Sequence, residues 1–368
     1  MQLGVAAALV DGKRVAGDVT IEDGAVTEVG VSPAGAAGTA VPGFVDAHIN
    51  GIAGVDFLTA DPSDYRAAAG SLAQTGVVAF QPTLVSSPLE SYRRPLAVAA
   101  VAMAEPGPGL PRVTGVHMEG PFLSREWPGA HDPANVMRPD PRLAERMRGL
   151  GPVTMMTLAP ELPGGLEVVE RLAGAGVIVS CGHSDADAAQ ANAAFDLGAR
   201  AITHVHNAHR RWAPRDPGLG GVALVRDDVF VQAIVDGVHL APETARAAHV
   251  AAGPRFCLVT DAIAAAMLDP GRSELGGREV QVVDGAVRLP DGTLAGSVLT
   301  MDQAVRNLMS YGASMAEAAH AASTAPARLL GRDDLGVLRP GAPANVTVLD
   351  DGGHVTRTVV AGVVSWSQ

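Results

Sequence analysis

Four apolar runs in this sequence each end on a side chain able to bind a metal ion, and no other feature narrows the choice of fold as much. The first, Val113 to Pro121, reads VTGVHMEGP: Val113, Thr114 and Val116 favour a strand, Glu119 stands at its carboxyl tip, and Gly120-Pro121 stops it. VIVSCGHS ends the same way at His183, RAITHVHN at His204 and FCLVTDA at Asp261. Parallel α/β folds carry their chemistry at the carboxyl ends of their strands. A carboxylate, two imidazoles and a second carboxylate on four such ends predict a metal site at one mouth of a parallel sheet.

The alternation of apolar runs with amphipathic stretches extends over most of the chain. Strands are expected near 43–49, 77–84, 112–118, 153–158, 177–183, 200–206, 229–236 and 255–261. Helices fill most gaps, among them Pro62 to Thr75, Leu89 to Met103, Leu166 to Gly174 and Ala186 to Leu197. Eight strand–helix units indicate an α/β fold, a (β/α)8 barrel of the TIM type. The competing architecture, a doubly wound open sheet, would carry Gly-x-Gly-x-x-Gly after its first strand, and none follows here. Of the 11 histidines, His48, His117, His183, His204, His206 and His239 fall at or just beyond strand ends, and His131 and His209 in the loops after them. Histidines that only filled a core would be scattered.

Both ends of the chain read differently. LGVAAALV, RVAGDVTI and AVTEVGV alternate with Asp-Gly turns, and Asn345 to Leu349 and Thr356 to Val364 repeat the pattern at the other terminus. Residues 1–42 and 335–368 are therefore expected to build one small β-sandwich beside a barrel over 43–334. A third β-rich piece, Arg278 to Leu294 with turns at Asp284-Gly285 and Asp291-Gly292, predicts a hairpin inserted near the site, around 278–294.

Charge and composition exclude several classes. A formal net charge of -12 and no Lys/Arg run argue against a nucleic-acid partner, which requires a concentrated basic face. No stretch reaches the roughly 18 apolar residues of a membrane helix, and the opening MQLGVAAALVDGKRV lacks a basic n-region and a cleavage pattern, so a cytoplasmic protein with no membrane partner is expected. Cys181 and Cys257 lie in apolar runs and read as buried thiols of a reducing compartment. Lys13 is the only lysine and sits in an early turn, so no carbamylated lysine can bridge two metals on a barrel strand. The ligands must come from Glu, Asp and His.

A catalytic zinc typically takes three nitrogen or oxygen ligands and keeps a position for water. Glu119, His183 and His204, on the third, fifth and sixth strands, supply that set. Asp261 at the end of the eighth strand is placed to take a proton from such a water and return it to a leaving amine; its alternative role is to cap a helix over the following AIAAAML. In the first strand, PGFVDAHING, alternation puts Asp46, His48 and Asn50 on one face. His48 and Asp261 are available to a second metal, but the neutral amide at position 50 is a poor zinc ligand, so one metal per chain is expected. Iron, cobalt and manganese accept the same ligands to differing degrees.

Beyond the sixth strand, Thr203 to Arg211 and Arg215-Asp216-Pro217-Gly218 concentrate cationic and hydrogen-bonding groups. In an acidic chain this cluster suggests an anionic substrate group such as a phosphate, with an ordinary solvated loop as the alternative. Asp236-Gly237-Val238-His239 adds a further candidate contact, and Gly129-Ala130-His131 can swing an imidazole over the metal.

Taken together, PGFVDAHING, HMEGPFLS with PGAH, TLAPE, GHSDA, THVHNA with RDPG, DGVH, VTDA, LAGSVLTMDQAVRN and TAPARLLG resemble the N-acetylglucosamine-6-phosphate deacetylase family of the amidohydrolase superfamily, in that family's order over nearly the whole chain. HMEGPF together with LAGSVLTMD is the specific part. The resemblance implies a metal-dependent barrel carrying a small β-sandwich, commonly as a homodimer, and hydrolysis of the acetamide of N-acetyl-D-glucosamine 6-phosphate. It implies Glu119, His183 and His204 as metal ligands and Asp261 as acid/base; in the mechanism expected here, His131 with the metal stabilises the oxyanion. Ala130, His131, Asn207, Ala208, Arg215, Asp236, Gly237, Val238, His239, Leu294, Ala295 and Gly296 match positions that bind the sugar phosphate, the arginine reaching the neighbouring subunit's site in some members. Three positions depart from the pattern. Asn50 replaces a second histidine, His206 and His209 replace residues that are more often aromatic or leucine and methionine, and Asn345 replaces an aspartate of the small domain. The two histidines leave room for another N-acyl amino sugar phosphate such as the galactosamine epimer. A non-catalytic barrel, the remaining alternative, would have lost the ligands that this chain retains.

Overall fold

The computed structural model describes residues 1–368. Eight parallel strands form the barrel: Phe44–Ile49, Val77–Val85, Val116–Glu119 (preceded by the short Arg112–Val113), Val153–Leu158, Ile178–Cys181, Ala201–Ile202, Phe230–Ala233 and Phe256–Leu258. Each pairs with the next in parallel register. All eight expected strands are present. The sixth is shorter than its apolar run because the chain leaves strand geometry at His204, where φ is 31°.

The ring closes through the loop after the eighth strand. Asp261 N–H donates to the His48 carbonyl at 2.8 Å, and the N–H groups of Asn50 and Gly51 donate to the Ala262 carbonyl at 2.8 and 3.0 Å. The Thr260 hydroxyl adds a bond to Asp46 Oδ2 at 2.5 Å. Asp261 does not cap a helix: Ala262 instead bridges to Ser297, and the next helix begins only at Met301–Ser310. The insertion between them satisfies the backbone groups that a helix would otherwise have paired.

Helices pack their apolar faces on the barrel as the sequence predicts. Pro62–Gln74 is started by a capping box, Asp61 accepting from Asp64 N–H while the Asp64 carboxylate accepts from Asp61 N–H. It buries Tyr65, Ala68, Leu72 and Ala73. Phe57 stacks on Phe80 at 5.6 Å and tilts on Tyr65 at 5.0 Å, and burying each such ring contributes roughly 1.5–3 kcal/mol.

The termini meet in one six-stranded sheet, ordered Lys13–Ala16, Val5–Val10, Ala37–Pro42, Val346–Leu349, Val355–Val360 and Val363–Ser367. The hairpin Asp18–Glu22 and Ala25–Val31 covers it, and Val5, Val19, Ile21, Val26, Val346 and Val359 fill the space between. The inserted piece is larger than the expected hairpin: four antiparallel strands, Arg272–Leu275, Arg278–Val283, Ala286–Arg288 and Leu294–Ser297. Its first strand lacks β-branched residues, and its first turn, Gly276-Gly277 with φ of 57° and 81°, gave no apolar alternation to read.

Candidate active site

Glu119 ends the third strand with its carboxylate buried at the barrel mouth. Its Oε1 lies 3.1 Å from His183 Nε2 and 3.0 Å from His204 Nε2, and the two Nε2 atoms are 3.2 Å apart. The other ring nitrogens fix the tautomers: His183 Nδ1 contacts the Trp127 carbonyl at 3.0 Å, and His204 Nδ1 the Asn207 carbonyl at 3.2 Å. A carbonyl only accepts, so both Nδ1 atoms carry the proton and both Nε2 atoms present lone pairs. Two lone pairs and a carboxylate oxygen converging within hydrogen-bond distance repel one another unless a cation lies among them. The donor set therefore fits a divalent metal.

Holding these rings in place strains the backbone. His183, His204 and Asp261 have φ of 50°, 31° and 49°, in the left-handed region that ordinary residues avoid. Close packing also fixes Gly129, whose added Cβ would stand 2.9 Å from His183 Cε1.

On the other side of Glu119, Oε2 lies 3.4 Å from His131 Nε2 and 3.5 Å from His48 Nε2. His131 Nδ1 accepts from Ser86 N–H at 3.1 Å, so its Nε2 carries the proton into the site. Arg278 of the insertion donates to the Ala130 and His131 carbonyls at 3.0 and 3.2 Å, tying this loop to the inserted sheet. Burial opposes ionisation of Glu119, but the charge on His48 and the hydrogen bond from His131 outweigh it and hold the carboxyl well below its usual range.

Asp261 Oδ1 accepts from Asn50 Nδ2 at 2.6 Å and faces His48 Nε2 at 3.2 Å. Burial raises its carboxyl, yet His48 more than compensates and the group stays below its ordinary value, ionised and able to accept a proton. His48, Glu119 and Asp261 form a second group with ligand atoms close together, but the Asn50 amide already occupies the shared oxygen.

These groups form the floor of a cavity of about 600 Å³. Among the residues expected at the substrate, Ala130, His131, Asn207, Ala208, His239, Leu294 and Gly296 line it. Asp236 stands behind His239: Oδ2 meets Nδ1 at 2.7 Å, and Oδ1 accepts from the N–H groups of Val238 and His239 at 2.8 and 2.7 Å, leaving His239 Nε2 toward the cavity. Gly237, Val238 and Ala295 do not line it, and Ala295 is fully buried. Arg215 is exposed on the Ala213–Asp216 turn, outside the cavity of its own chain. His206 is exposed and His209 is buried behind His204, donating from Nε2 to the Thr203 carbonyl at 2.8 Å, so neither lines the cavity.

Sequence reasoning missed several wall residues. Trp127, Arg288 and Thr293 line the cavity, the last two from the insertion, whereas Arg211 lines it from the cationic segment that the sequence had already marked. Trp127 directly precedes Pro128-Gly129-Ala130-His131 and was within reach of that motif. Arg288 and Thr293 had only their position in a piece expected near the site.

Fold and site together define a metal-dependent hydrolase built on a barrel. The sequence profile of the amidohydrolase family matches residues 39–364. Human N-acetylglucosamine-6-phosphate deacetylase is 41% identical over 343 residues, 88% of this chain and 83% of the human protein. N-acetylgalactosamine-6-phosphate deacetylase of Escherichia coli O157:H7 is 37% identical over 325 residues, 87% of this chain and 86% of its own length. A point variant of Mycobacterium smegmatis N-acetyl-D-glucosamine-6-phosphate deacetylase, solved in complex with N-acetyl-D-glucosamine 6-phosphate, superposes with a TM-score of 0.94 at 33% identity, covering 100% of this chain and 99% of that one. The chain belongs to the amidohydrolase family and, within it, to the N-acetylglucosamine-6-phosphate deacetylases. No helix is long and apolar enough to cross a membrane.

Proposed function

We propose that this protein hydrolyses the acetamide of N-acetyl-D-glucosamine 6-phosphate to D-glucosamine 6-phosphate and acetate. The observation that carries this reading is the convergence of Glu119, His183 and His204 with the Asp261 carboxylate and the His131 Nε2–H on the floor of one cavity. Bound by the first three, a divalent cation supplies Lewis-acid polarisation of an acyl oxygen and acidifies water. Zinc is our choice of metal, one per chain.

Asp261 then takes the proton of the attacking water on Oδ2, because Oδ1 is held by Asn50. His131 donates from Nε2 to the oxygen on which negative charge develops. Asp261 returns the proton to the amine as the C–N bond breaks. Asn207, the Ala208 backbone and His239 orient the sugar, and Arg211 and Arg288 provide cationic walls for the phosphate.

Residues 43–334 form the catalytic unit in this reading, with 1–42 and 335–368 as its small companion. We assign a homodimer: Arg215 sits on an exposed loop outside its own cavity, next to Trp212 at 53% exposure, a placement suited to reaching a neighbouring site. A cytoplasmic location follows from the phosphorylated substrate.

Acetate release from N-acetylglucosamine 6-phosphate, its unphosphorylated parent and the galactosamine epimer, measured with metal content per chain, tests the reading. Activity confined to phosphorylated sugars, with the glucosamine form preferred, is expected. Equal rates with and without phosphate would overturn the substrate assignment.

A further inference from the structure

Glu161, in the loop after the fourth strand, touches neither the cavity nor the candidate metal seat, yet it holds the turn that follows His183. Its Oε2 accepts from the Ser184 hydroxyl and its Oε1 from Asp185 N–H, both at 2.7 Å. The Ser184 hydroxyl in turn accepts from Ala186 N–H at 3.0 Å. Asp185 Oδ1 then accepts from the Trp127 indole at 2.9 Å, and the Trp127 carbonyl is the partner of His183 Nδ1. A closed circuit thus runs from Glu161 through Asp185 and Trp127 back to His183. Only a carboxylate can serve two donors with two oxygens in this geometry. The turn it pins contains the left-handed His183, whose backbone would relax without an external constraint.

We propose that Glu161 is a positioning residue for the metal centre, acting through the Ser184–Asp185 turn and the Trp127 carbonyl. Because Trp127 also lines the cavity, the same carboxylate sets the place of a substrate-facing wall. This inference rests on the metal reading above. It adds that ligand orientation and cavity shape share one support, outside the site itself.

The test uses Glu161→Ala and Glu161→Gln in a Trp212→Phe/Trp366→Phe background, which leaves Trp127 as the only tryptophan. Metal affinity is measured by competition with a chromophoric chelator, using zinc and cobalt, and Trp127 emission is recorded alongside circular dichroism. Loss of a partner that orients a ligand typically weakens metal affinity roughly 10- to 100-fold. That loss, with red-shifted Trp127 emission and retained secondary structure, is expected for Glu161→Ala. Glu161→Gln, which keeps one acceptor oxygen, should fall between it and the parent, and carries the comparison if the alanine variant does not fold. Parent-like affinity in both variants would overturn the proposal whatever the emission does. A parent protein that binds no metal would be a separate result, overturning the metal reading and this inference with it.

Discussion

The Asn50 side-chain amide donates to Asp261 Oδ1 at 2.6 Å, joining the first barrel strand to the loop after the eighth at the floor of the cavity. A position that would offer a second imidazole to a metal instead holds the proposed proton acceptor by one oxygen. Asn50→His should change what the site can bind. With His48 beside it, the substituted ring supplies two nitrogens on one strand face, and metal content is expected to rise from one per chain toward two. Elemental analysis checks this; a content unchanged at one would show that geometry, and not residue type, limits the site.

Asp261→Asn keeps the shape of the side chain and removes its basicity. Metal content should be unchanged, while turnover falls by roughly 10²- to 10⁴-fold, the usual contribution of a positioned acid/base. Acetate release and elemental analysis on the same preparation separate the two effects. Near-parental turnover would sink the assignment.

His131→Phe removes the Nε2–H that points at the site and should cost about 10²- to 10³-fold in kcat, as for other lost oxyanion donors. The Ser86 N–H that His131 accepts loses its partner as well, so a melting curve must accompany the kinetics. A change confined to KM would reassign His131 to substrate binding.

Chelation should lower both activity and thermal stability. Without a cation, Glu119, His183 and His204 bring like-signed electron density together, and ligand binding to the folded state stabilises it by about 4 kcal/mol when free metal exceeds its dissociation constant a thousandfold. A melting temperature that drops with chelator and recovers with zinc is expected; one indifferent to both would argue against a resident metal.

Asp56, outside the site, gives a pH signal. Burial first, and the Glu274 charge after it, push its carboxyl up from 3.8 to about 6. The folded-state value is raised, so the contribution to stability is fully present below pH 3.8 and is lost as pH rises through about 6. Asp56→Asn retains an oxygen to accept from Leu58 N–H, bonded at 2.8 Å, and removes the charge. The variant should match the parent near pH 4 and exceed it at pH 8 by on the order of 1 kcal/mol. Denaturant titrations at the two pH values decide; equal effects at both would remove Asp56 as the cause.

The convergence of Glu119, His183 and His204 was readable because each closes an apolar run, and a parallel barrel sends all such ends to one mouth. What escaped the sequence shares a different character. The partners of His183 and His204 are the Trp127 and Asn207 carbonyls, and a carbonyl leaves no mark of residue type. Arg215 and His206 lie in the right loop but face outward, because left-handed turns at His204, His206 and Ala208 redirect the chain after the sixth strand. The helix cap that was the alternative role for Asp261 is absent for a related reason: its own φ of 49° turns the backbone toward the insertion. Spacing in sequence locates a loop, whereas single dihedral angles decide which of its side chains turn inward.

The bonds that shut the barrel are also the bonds that assemble its chemistry. Asp261 N–H reaches the His48 carbonyl, and Asn50 and Gly51 reach Ala262, so the last seam of the ring is made by the proposed proton acceptor and its neighbours. During refolding, a chain with seven strands in place would hold Glu119, His183 and His204 together while still lacking Asp261 beside them. Recovery of metal binding would then precede recovery of turnover, and turnover itself would mark the moment when the first and last strands join.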